Sequence, residues 1–149
     1  MCRTVAAITL IVCTLLGTAL LAPSAGATGS RMQFTFIQYD SPGSDTGSNA
    51  SINAEYVTIS NTSGDRISVA GWHLYDYQNH AYALPPISLA GHTKIRVHTG
   101  VGTNTGVDKY WGENYYVWNN TGDRARLRDN KNGLVDECTW TTDHGYTTC

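Results

Sequence analysis

From residue 33 onward, apolar residues recur at every second position in short runs, and each run ends in turn-forming residues. Lys94–His98 (KIRVH) is the cleanest case, with Ile95 and Val97 on one side and Lys94, Arg96 and His98 on the other. Successive side chains of an extended backbone point to opposite faces, so this period describes strands half covered by a core. Residues 33–39 (QFTFIQY), 55–60 (EYVTIS), 67–75 (ISVAGWHLY), 81–84 and 124–128 (RARLR) read the same way. Gly71 predicts a bulge or sharp bend inside the third of these. Asp129-Asn130-Lys131-Asn132-Gly133 separates 124–128 from 134–140, and Asn-Gly between two alternating runs signals a hairpin. The reading gives seven to nine short strands and no helix after residue 27. It predicts an all-β chain, an antiparallel β-sandwich, although a jelly roll or barrel has the same period.

Residues 1–27 differ in character. Arg3 provides a positive start, and residues 5–21 are apolar apart from three Thr and a Gly. Ala25-Gly26-Ala27 then supplies a small-x-small cleavage pattern. This order predicts a helical Sec-type signal peptide removed after Ala27. The apolar run has 17 residues, the lower limit for a membrane span, and no basic cluster follows it. The expected organisation is a leader over 1–27, a flexible lead-in over 28–32 and one domain over 33–149. The expected location is extracellular, with no membrane span once the leader is gone. Cys2 and Cys13 depart with the leader, which leaves Cys138 and Cys149. Two thiols in an oxidising compartment either close on each other, pinning the tail to the last strand, or cross-link chains through Cys149.

Charge and motifs narrow the function classes. The net charge is −2, and −3 without Arg3, so a nucleic-acid partner is not expected. No G-x-S-x-G, H-E-x-x-H or P-loop pattern is present, and none of the residues calls for a cofactor. His73, His80, His92, His98 and His144 are scattered; His73 and His98 point outward from strands and would share a metal only if those strands were neighbours. Asp40, Asp45, Asn53 and Glu55 flank one polar loop and are candidate hard-oxygen ligands, with turn capping as the alternative. Tyr110, Trp111, Tyr115, Tyr116 and Trp118 form a candidate ligand platform, because flat rings stack on the apolar faces of sugars. Alternatively Trp111 or Trp118 fills the core, where Trp72 and Trp140 are also expected. Arg124, Arg126 and Arg128, extended by Lys131, form a candidate patch for an anionic partner such as teichoic acid or lipid headgroups. Cross-strand pairing with Asp136 and Glu137 would occupy them instead.

The ordered phrases QYDSPGSD (38–45), NAEYVTISN (53–61), VAGWHLYD (69–76), YALPPISLAGH (82–92), IRVHTGVG (95–102) and WNNTGDRARLRDNKNGLVDECTW (118–140) resemble the lamin tail domain family in its secreted bacterial form. The resemblance implies an immunoglobulin-like sandwich. It departs from the nuclear filament proteins in lacking a heptad coiled coil, so filament roles do not carry over. It further implies a non-catalytic binding, adhesion or structural module at the cell envelope, monomeric, with no catalytic residues to transfer. The partner would be a cell-wall polysaccharide, an anionic envelope polymer or another protein. The rival readings are a secreted hydrolase using His and Asp, with or without a metal, and a structural protein joined covalently through Cys149.

Overall fold

The computed structural model describes residues 30–141 and 144–149. The leader expected over 1–27 lies outside the described residues. Eleven short strands follow in chain order: β1 Met32–Gln38, β2 Tyr56–Asn61, β3 Ile67–Ser68, β4 His73–Tyr75, β5 Ala81–Ala83, β6 Ser88–Leu89, β7 Lys94–His98, β8 Asp108–Tyr110, β9 Asp123–Arg128, β10 Leu134–Trp140 and β11 Tyr146–Thr147. A five-stranded sheet runs β11-β1-β2-β7-β8, a four-stranded sheet runs β10-β9-β4-β5, and β3 pairs with β6 alone. Among the described residues no helix is long and apolar enough to cross a membrane.

The alternation seen in the sequence becomes the core. Phe34, Ile37, Val57, Ile59, Ile95 and Val97 line the inner side of the larger sheet, and Leu74, Ala125, Leu127, Cys138 and Trp140 that of the smaller one; all are buried. Burying each large aliphatic side chain contributes roughly 1.5–3 kcal/mol, and this period-two face is what locks the register. The hairpin forms as expected: Cys138 pairs with Ala125 and Glu137 with Arg126, and Asn132 takes φ 65° in the turn.

Several local expectations are corrected. The run over 67–75 does not stay one strand. Gly71 sits at φ 74°, and a Cβ there would meet Asn130 at 3.1 Å, so the chain turns and divides into β3 and β4. Trp72, beside that turn, is half-buried against the core and not inside it. The polar loop before β2 holds one helical turn, α1 (Asn49–Ile52), where no helix was expected; the Ser48 side chain caps it by accepting from the Ser51 N–H, and Ile52 is buried. The stretch at 115–118 is a loop. The Gly-rich stretch instead conceals β8, which runs parallel to β7, an exception to the antiparallel rule of the other pairs. Alternation did not reveal β8 because its buried residue is Lys109, whose ammonium donates to the Thr105 carbonyl.

The tail pairs with β1, not with β10: Thr147 faces Ile37 and Tyr146 faces Gln38. Its last residue, Cys149, is bonded to Cys138 on β10 with a Cα–Cα distance of 5.9 Å. The bond therefore ties the two sheets together at one edge and leaves neither thiol for cross-linking chains. The Asp136 carboxylate, also on β10, accepts from the Phe34 N–H of β1 at 2.7 Å beside it.

Candidate functional site

The structure does not bring the five aromatics of the expected platform together on one surface. Trp118 is 2% exposed. It belongs to a chain of rings through the interior: Tyr39 stacks on Trp140 at 4.9 Å, Trp140 meets Trp118 at 5.8 Å, Trp118 meets Trp111 at 5.9 Å and Trp111 meets Tyr82 at 5.6 Å. Trp111, half-buried, packs against the core. Tyr116 braces the loop before β2, with its hydroxyl bonded to Ser51 and to the Gly47 N–H. Tyr115 alone is well exposed, edge-on to His80. Tyr110 belongs to a different surface, described below.

The three arginines share the outer face of β9, and each has a partner within the chain. Arg126 donates to the Asp76 carbonyl at 2.7 Å and to Asn79 at 2.8 Å, and its guanidinium lies over Tyr75. Arg128 donates to the Asn132 carbonyl at 2.8 Å. Arg124 lies over Tyr77 and 3.7 Å from Glu137, the cross-strand partner expected of it. Asp136 is not part of this pairing, because it faces β1. Of the cross-strand pairs expected with Asp136 and Glu137, Arg124–Glu137 alone is present among the described residues; Arg126 and Arg128 bond to other groups nearby.

Among the candidate oxygen ligands, Glu55 is fully buried while Asp45 is exposed. Among the described residues no three His, Cys, Asp or Glu gather as a metal site. Glu55 instead accepts from the Val117 N–H at 3.1 Å, joining the start of β2 to the loop that carries Trp118. Burial pushes its carboxyl up to about 8, with the Asp45 charge adding to the rise; the Thr99 hydroxyl and the Val117 and Trp118 N–H groups pull the other way. A protonated, uncharged carboxyl is thus the form that suits this interior near neutral pH.

His73 and His98 lie in different sheets, so they do not pair. His80 donates or accepts at Nδ1 with Asp76 at 2.6 Å, and Asp76 also accepts the His80 N–H at 2.7 Å. That arrangement closes the turn between β4 and β5. Among the described residues no hydroxyl or thiol hydrogen-bonds to this pair, so a nucleophile–base couple is not assembled there.

The surface that sequence reading missed is the outer face of the five-stranded sheet. One ring from each strand lies in a row across all five. Tyr146 (β11) meets Phe36 (β1) at 5.5 Å, Phe36 meets Tyr56 (β2) at 5.7 Å, Tyr56 meets His98 (β7) at 5.4 Å, and His98 meets Tyr110 (β8) at 5.2 Å. Such spacing belongs to offset, shingled rings and not to rings lying flat side by side. A bulge in β1 between Phe34 and Phe36 turns Phe36 outward. His98 is fixed from both sides, with Nδ1 2.7 Å from the Asn53 carbonyl and Nε2 3.2 Å from Asp108. Tyr110 lies so close over Gly102 that a Cβ there would come within 2.4 Å of the ring. Beside this ridge runs an open groove of about 580 Å³, lined by Phe36, Tyr56, Thr35, Thr58, Lys94, Arg96 and Val107, with the Arg96 guanidinium over the Tyr56 ring. The signal was present but dispersed: each strand contributes one outward ring, and only the register aligns them.

A model of the family described as Lamin Tail Domain matches residues 26–142. No curated protein matches the chain.

Proposed function

The chain belongs to the lamin tail domain family, whose fold is immunoglobulin-like, and from that premise we propose that it is an exported, non-catalytic module that binds a cell-envelope polysaccharide on the outer face of its five-stranded sheet. The observation that carries this reading is the row of five rings bordering an open groove. Rings fixed by sheet pairing and by their neighbours lose little freedom when a ligand docks, so their apolar area converts efficiently into affinity. Sugar rings present apolar C–H faces to aromatic side chains and hydroxyls to the polar groups around them. The leader-like residues 1–27 support export. The scattered histidines and the turn-bound Asp76–His80 pair support a role without chemistry.

Retention on purified cell-wall polysaccharide tests the reading. The wild-type exported chain is retarded, Tyr56→Ala loses most of the retardation, and Tyr115→Ala keeps it. A wild-type chain that passes unretarded, or a Tyr56→Ala chain that behaves like wild type, sinks the proposal.

A further inference from the structure

Resting on the polysaccharide reading, we infer that the groove selects an acidic polysaccharide built of uronic-acid rings. The residues lining it include two cations, Lys94 and Arg96, and no acid. Both stand on the same side of β7, two residues apart, so their Cα atoms are roughly 7 Å from each other. The Arg96 guanidinium is held in place from two sides: it lies 5.8 Å from the Tyr56 ring centre and 3.0 Å from the Asp108 carboxylate. Asp108 engages one terminal nitrogen, and a planar guanidinium with five donors has others to offer. Lys94 is exposed, and among the described residues it makes no ion pair. Lys94 also borders a second depression, lined by Ser60, Asn61, Thr62, His92 and Thr93.

The aromatic lining decides which anion fits. A glycerol-phosphate or ribitol-phosphate chain carries charge but no ring face to lay against Phe36 and Tyr56. A uronate carries both on one unit, a pyranose ring for the aromatic side chains and a carboxylate for the cations beside them.

Affinity electrophoresis of the exported chain through gels containing polygalacturonate, fully methyl-esterified polygalacturonate or poly(glycerol phosphate) tests the inference. The expected order is strongest retardation by the acid form, weaker by the ester and weakest by the phosphate polymer. Lys94→Ala, an exposed change that leaves the sheet intact, weakens binding to the acid form about threefold to fivefold and weakens binding to the ester by less. Arg96→Ala acts in the same direction. Equal retardation by acid and ester, or no effect of Lys94→Ala on the acid form, overturns the uronate assignment while the general polysaccharide reading stands. Preference for poly(glycerol phosphate) overturns it in favour of a phosphate ligand. Retardation by none of these polymers, together with none by cell-wall polysaccharide, removes both.

Discussion

Two chains of five rings run through this molecule, one inside and one outside, and they are built by different rules. The inner chain, Tyr39–Trp140–Trp118–Trp111–Tyr82, joins loops and the smaller sheet to the end of β1, with all but the half-buried Trp111 in the core. The outer one, Tyr146–Phe36–Tyr56–His98–Tyr110, follows strand order across a single sheet and stays half open to water. Similar residue types thus serve packing in one place and presentation in the other. Aromatic content alone does not mark a binding surface; the burial of the layer in which the rings lie does.

Mutations can break this contrast. Trp118→Ala opens a cavity in the inner chain and lowers stability by about 3–5 kcal/mol, read as a fall in the urea midpoint. Any loss of ligand retention would then follow unfolding and not precede it. Glu55, which holds the Val117–Trp118 loop, gives the inner chain a pH dependence. Its folded pKa of about 8 exceeds the ordinary glutamate value of 4.5. The unfolded chain therefore releases this proton first, and stability falls as pH rises between those values. The slope approaches roughly 1.4 kcal/mol per pH unit, flat below and above that window. Glu55→Gln should flatten the curve, and an unchanged slope would reject this assignment. Removing the Cys138–Cys149 bond, which spans 11 residues, costs about 3 kcal/mol by loop-closure reasoning. It also frees the strand bearing Tyr146, so fluorescence quenching of the outer row should rise while the inner tryptophans stay protected. Tyr56→Ala removes the middle of the outer row and weakens retention about tenfold, yet lowers stability by only about 1 kcal/mol. Arg126→Ala, on the opposite face, costs about 1 kcal/mol of stability and should leave retention unaltered.

Much of this fold was readable from letters because each strand carries its own evidence. Lys94–His98 appears with the bounds its alternation predicts, and the Asn132-Gly133 hairpin joins the strands on either side of it. What stayed hidden depends on partners distant in the chain. Asp108–Tyr110 has no apolar inner residue to betray it, and Tyr146–Thr147 is a strand only because β1 lies alongside. The five aromatics at 110–118 looked like one platform because they are close in sequence. Their side chains separate into core, brace and surface once the loop is fixed by Glu55. The outer row was illegible for the opposite reason: its members are separated by 20, 42, 12 and 36 residues and meet only through register.

The edge on which the tail lies has a consequence for how the chain must be handled. β1 reads MQFTFIQ, seven residues without a charge or a proline, which is the composition that fibrils favour. Its flank is guarded by a two-residue strand, held by one sulfur–sulfur link and by the Gly145 carbonyl, which accepts from the Tyr39 and Asp40 N–H groups and the Gln38 amide, and by the Asp136 carboxylate on the Phe34 N–H. With that clasp reduced, the unpaired amides and carbonyls become a template on which a neighbouring copy can lay down the same segment. Reduced material should therefore seed aggregates that oxidised material does not.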